Sequence, residues 1–259
     1  MRQFVAAVAV LFLAGTGAVP ASAQSDSQPT AHARSGVARE FVPSIYVPPL
    51  SNSPFSATVT TELTHTLEEG TTQSTWNQRR IMRDGSGRVY QERASFVPKN
   101  GDRQPQVTTI EISDPSTHKR LVCQTQAKSC TARPYAGTTS EVVLPSGPLP
   151  EGRGQRTVED LGKNVVNGIE VNGTRQTVVL NAGVTGNDRP MSIVYEYWYS
   201  PKLGINVVEK RNDPRVGTQT FTVGDITLQE PDSQYFAAPA GFAVPKARTQ
   251  VSPAGSGGH

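Results

Sequence analysis

Histidine, cysteine and helical periodicity are the scarce features of this chain. Only four histidines occur in 259 residues. His32 and His259 lie in Ser-, Pro- and Gly-rich ends, while His65 closes a Thr-rich run and His118 sits in a turn sequence. His65 and His118 read as exposed or half-buried residues rather than ligands. There is no G-x-S-x-G elbow, no H-E-x-x-H and no phosphate loop. The adjacent carboxylates Glu68-Glu69 and Glu159-Asp160 read as solvated charges. A pair for acid–base work would have to be assembled by the fold. No residue is nominated as catalytic, and no metal or cofactor is expected.

Charge of one sign is also lacking. Lys plus Arg number 25 against 22 Asp plus Glu, and the charges are scattered. This is no electrostatic footprint for nucleic acid. Long hydrophobic runs are absent except for "FVAAVAVLFL" at Phe4–Leu13. Such a run is too short to span a bilayer as a helix. With Arg2 before it and "ASA" at Ala21–Ala23 after it, the layout is that of a signal peptide over residues 1–23, cleaved after Ala23. An uncut membrane anchor is the alternative. No later segment is apolar enough to cross a membrane. The expected location is therefore periplasmic or secreted.

The two cysteines, Cys123 and Cys130, lie in "LVCQTQAKSC". In an oxidising compartment a pair this close reads as one local disulfide clasping a hairpin. Its loop removes about 2.5 kcal/mol of unfolded-state entropy. A redox pair is the competing reading, but it is usually C-x-x-C. Half a zinc site is another, but it needs two more ligands nearby.

Residues 24–53 are rich in Ser, Ala and Pro and read as a disordered leader. Its stretch Phe41–Leu50 could lie extended against the domain. Residues 247–259 read as a disordered tail. Between them, 54–246 reads as one antiparallel β domain. Short alternating runs recur with Gly, Pro and Asp punctuation every 8–12 residues, the pattern of an all-β sheet. In "FSATVTTELTHTL", Val59, Thr61, Leu63 and His65 share one side. Asn167-Gly168 predicts a tight hairpin and Gly173 a bulge in the returning strand. Thr157–Lys163 is the best helix candidate. Residues 134–156 read as a long connection with one short strand at Glu141–Leu144.

"SPKLG" at Ser200–Gly204 and "DPRVG" at Asp213–Gly217 share one pattern: acceptor, Pro, cation, aliphatic, Gly. Each predicts a turn in which Ser200 or Asp213 accepts a backbone N–H and Gly supplies positive φ. The strands they join form a meander, so Lys202 and Arg215 stand at opposite ends and cannot clamp one anion. In "MSIVYEYWYS", alternation places Tyr195, Tyr197 and Tyr199 on one face and Trp198 on the other. These four are the candidate ligand-binding residues. The plainer reading is ordinary cross-strand packing.

Four blocks, "VEDLG…NGIEVNGTRQTVVL", "GNDRP", "YEYWYSPKLGINVVEKRNDPRVG" and "EPDSQYFAAPAGFAV", resemble a group of uncharacterised secreted bacterial proteins. The closing "PDSQYFAAPAGFAV", with "ISDPSTHKRLVCQ", also resembles periplasmic lipoprotein-carrier and outer-membrane lipoprotein-sorting proteins. The resemblance implies a curved antiparallel sheet, or half-barrel, whose concave face holds acyl chains. That family covers its face with helices, and none is evident here. The expectation is an all-β curved sheet with few or no helices. The leading function is non-enzymatic binding of an apolar or lipid-like ligand in the cell envelope. One alternative is a module holding an envelope partner protein through a sheet edge or the Pro-rich leader. The other is a hydrolase with an unrecognised site.

Overall fold

The structure is a computed structural model that describes residues 45–135 and 144–244. The signal peptide with Ala23, the leader up to residue 44, the tail 247–259 and residues 141–143 of the expected short strand lie outside the described residues.

The described chain forms thirteen strands: β1 (Phe55–Thr66), β2 (Thr72–Arg83), β3 (Val89–Ala94), β4 (Val97–Pro98), β5 (Val107–Asp114), β6 (Lys119–Gln124), β7 (Ser129–Pro134), β8 (Gly147–Pro148), β9 (Gly154–Val166), β10 (Ile169–Leu180), β11 (Met191–Ser200), β12 (Ile205–Asp213) and β13 (Gly217–Thr227). They make one open sheet in the order β7-β6-β5-β3-β2-β1-β13-β12-β11-β10-β9-β8, with β4 paired to β2 off this path. Every strand pair is antiparallel. The chain starts in the middle at β1, builds outward to β7, then crosses to the far edge. From there it builds inward until β13 seals against β1. Helical content among the described residues is two short 3-10 turns, at Pro150–Gly152 and Ser233–Phe236. The all-β expectation holds. No helix among the described residues is long and apolar enough to cross a membrane.

Thr157–Lys163, the helix candidate, lies inside β9. This strand lies near the sheet edge and is mostly exposed, and Gly162 adopts φ +77° within a bulge, so it shows no clean alternation. The hairpin at Asn167-Gly168 is present, with positive φ at both residues. The bulge expected at Gly173 is present in its pairing, but the extra residue, Leu161, sits on β9.

Both five-residue turns form as read. The Ser200 hydroxyl accepts Leu203 N–H, and Asp213 accepts Arg215 N–H at 3.1 Å. Gly204 and Gly217 take positive φ. The turns close opposite ends of β12, so Lys202 and Arg215 do not meet. Cys123 and Cys130 are joined in a disulfide across the β6–β7 hairpin.

Cross-strand partners share a face of a sheet, and the register separates the two faces. One face buries the main apolar cluster, which joins Phe55, Val59, Ile81, Val171, Val207 and Val223 from strands spread across the sheet. Strands so far apart in the order can bury one cluster only if the sheet curls around it, so this is the inner face. Ile45 and Val47, from the end of the stretch read as leader, belong to the same cluster. The outer face carries a smaller cluster of Met82, Tyr90, Ile112 and Phe236, with the C-terminal 3-10 turn as its cover.

Candidate functional site

Arg83 shows how a charged residue is placed at the closed end of the inner face. The phase that turns Ile81 inward turns Arg79 and Arg83 inward too. Arg83 is fully buried and donates to Ser53 O, Ser53 Oγ, Pro48 O and Leu203 O at 2.8–2.9 Å. It thus ties the extended segment before β1 to the Ser200–Gly204 turn. Its guanidinium also lies over the Phe55 ring, 5.0 Å from the centroid.

Moving along the strands, the inner face changes character row by row. The register aligns Arg79, Val59 and Val223 in one row. The next holds Asn77, Thr61, Phe221, Glu209, Tyr197 and Thr174. The one after holds Thr75, Leu63, Gln219, Arg211, Tyr195 and Gln176. Apolar packing therefore gives way within two rows to hydrogen-bonding and charged groups. Asn77, Thr61, Glu209 and Tyr197 are nonetheless buried. Arg211 lies over the Tyr195 ring at 5.6 Å, and Tyr195 stacks on Tyr197 with centroids 6.3 Å apart and planes 4° from parallel. Arg211 also donates to Asp213 at 2.9 Å. Burial pushes the Asp213 carboxyl up, but hydrogen bonds and charge from Arg215, with the charge of Arg211, outweigh it and hold the group below the usual carboxylate range.

Tyr195, Tyr197 and Tyr199 do not form the single stripe that alternation predicts. Tyr195 and Tyr197 share the inner face. Between Trp198 and Tyr199 the pairing with β12 shifts by one residue, so Trp198 faces Val208 and Tyr199 faces Asn206. This bulge reverses the phase of β11. Ser200 becomes the inward residue, and Tyr199 is left 43% exposed. Trp198 packs against the main cluster, and its Nε1 donates to Glu196 at 2.9 Å.

Arg79 is the residue that sequence reasoning missed. It is 4% exposed, and neither Nη1 nor Nη2 has a hydrogen-bond partner. Burial, reinforced by the nearby charge of Arg93, lowers its pKa to about 10 against the opposing pull of Glu92 and Glu111. Oδ1 of its inward neighbour Asn77 is also buried without a partner. The signal was present in "RRIMR", where alternation about Ile81 leaves no other place for Arg79 and Arg83.

His65 lies one residue before the end of β1 and is exposed, whereas exposed His118 sits in the β5–β6 turn at the opposite end of the sheet. No group of three or more His, Cys, Asp or Glu able to hold a metal occurs among the described residues.

No protein-family model matches the chain, and no curated protein matches it. Among solved structures it is similar to an uncharacterized conserved protein from Thermus thermophilus, at 10% identity and TM-score 0.37, over 75% of this chain and 90% of that one. It is similar to the MucA/MucB complex of Pseudomonas aeruginosa, at 12% identity and TM-score 0.36, over 78% of this chain and 62% of that one. A domain described as outer membrane lipoprotein-sorting, from Vibrio parahaemolyticus, matches at 10% identity and TM-score 0.18, over 70% of this chain and 88% of that one. Superpositions this loose carry no weight for the site.

Proposed function

We propose that the protein is a non-enzymatic periplasmic or secreted envelope protein. It holds an apolar or lipid-like ligand on the inner face of its curved sheet, at the end lined by Tyr195 and Tyr197. The observation that carries this reading is the stacked Tyr195–Tyr197 pair, set where the closed apolar cluster meets inward hydrogen-bonding groups. An apolar wall with a few placed polar groups is the usual make-up of a small-molecule site. Leu67 and Val216, in the turns at that end of the sheet, add exposed apolar groups to its rim. The disulfide supports an oxidising compartment.

The edge-binding alternative has less support. Outward groups of β9 are capped locally: Val158 N–H by Ser146 Oγ, Gly162 N–H by Asp160 and Val165 N–H by Asn164. Such capping and the bulge blunt an edge against a further strand. Leader residues Ile45 and Val47 are already buried. A hydrolase would need groups to converge, and His65 and His118 stand at opposite ends.

Native mass spectrometry of the full chain purified from its host tests the reading, together with titration of a fluorescent fatty acid. A lipid adduct and saturable binding are expected, with Tyr197→Ala weakening the affinity about tenfold. A bare chain mass with no probe binding would remove the proposal.

A further inference from the structure

On the β2–β3–β5–β6–β7 half of the inner face, the register sets Arg79, Arg83, Arg93, Arg120 and Arg133 on the same face as a single strand carboxylate, Glu111. Glu111 is shared, at 3.4 Å from Arg93 and 3.6 Å from Arg120. Arg83 is satisfied by neutral oxygens alone. The nearby Glu92 is taken on the outer side by Arg80, at 2.6 Å, and by the Tyr90 hydroxyl. Arg79 is left with two buried terminal nitrogens and no acceptor, and Nε of Arg120 is likewise buried and unpartnered. Buried charges are otherwise paired or hydrogen-bonded, because leaving one unmatched carries the full desolvation penalty. A planar guanidinium with two terminal nitrogens lacking acceptors matches a carboxylate or phosphate.

We propose that Arg79, supported by the cationic half of the inner face, is the anchor for the anionic group of an amphipathic ligand, a carboxylate or phosphate carried on an apolar chain. The inference deepens the inner-face reading and rests on it. The anion supplies the acceptors that Arg79 lacks, and the chain runs toward the apolar and aromatic rows of the same face.

The test compares wild type with Arg79→Met, using oleate, oleyl alcohol and inorganic phosphate as probes. Oleate is expected to bind wild type about tenfold more tightly than oleyl alcohol. Arg79→Met is expected to erase that preference while keeping the alcohol's affinity. Because its charge has no partner, the unliganded variant is expected to melt at or above the wild-type temperature. Competition by phosphate marks a site that takes a free anion. Phosphate without effect marks one that needs the chain. Equal binding of oleate and alcohol to wild type overturns the anion anchor while leaving the inner-face reading standing. Failure of both lipids to bind removes the inner-face reading and this inference with it. A several-degree loss of melting temperature in Arg79→Met, or a co-purified peptide in place of a lipid, also overturns the anchor.

Discussion

The indole of Trp198 lies directly over Gly173, its cross-strand partner. A Cβ at position 173 would stand 2.6 Å from Trp198 Cζ3 and 2.8 Å from Leu161 Cβ. Glycine here is a steric requirement of the aromatic packing, and the bulge at Leu161 lies in the same crowded spot. Gly173→Ala is expected to cost about 1–3 kcal/mol in urea unfolding. The loss should shrink in a Trp198→Leu background. An equal loss in both backgrounds would separate the glycine from the indole.

Arg83 and Arg79 lie on one strand with the same inward phase and should respond oppositely to loss of charge. Arg83→Met leaves Pro48 O, Ser53 O and Leu203 O without their donor. A loss of about 3 kcal/mol or more is expected. Chemical denaturation of the two methionine variants side by side reads the contrast. Similar midpoints would mean that the four bonds of Arg83 contribute nothing net.

Acid should unpick the β12–β13 turn. The folded Asp213 carboxyl titrates below its unfolded value of about 4. Its contribution is therefore fully present above that value and is lost as pH falls through the lower folded one. Asp213→Asn should melt lower than wild type at pH 7, and the gap should close as pH drops below about 4. A gap independent of pH would assign the effect to geometry rather than charge.

The clasp between β6 and β7 should resist reductant in the native state. Cys123 and Cys130 are 0% and 1% exposed. Thiol labelling after reductant is expected only once denaturant is added. Replacing both cysteines with alanine should lower stability by about 2.5 kcal/mol. Rapid labelling of the native protein would show that the hairpin opens on its own.

Regular alternation was the legible part of this chain. The inward phase of β1, the two Pro-Gly turns, the Asn167-Gly168 hairpin and the β11–β13 meander all follow from local residue chemistry. What failed depended on neighbours. The β11 bulge reverses the phase at Tyr199, and nothing in "YEYWYS" announces that Val207 is the extra residue opposite. Thr157–Lys163 lacked alternation because an exposed strand near the edge has little need of it. The inner-face arginines escape a reading from charge alone, because Arg side chains are mostly exposed while Arg79 and Arg83 are buried. Alternation in "RRIMR" puts Arg79 on the side of Ile81, and the pairing of β1 with β2 sets it opposite Val59.

The seam between β1 and β13 also dictates a timetable. β1 ends at Thr66, and its second partner does not begin until Gly217. A ribosome releases the N-terminal half with one flank of β1 bare, and that flank waits through nearly the whole of synthesis. Loop closure over such a span is slow. The interval favours an escort that shields a lone strand, and it makes truncation before β13 a route to clumping rather than to a smaller stable domain.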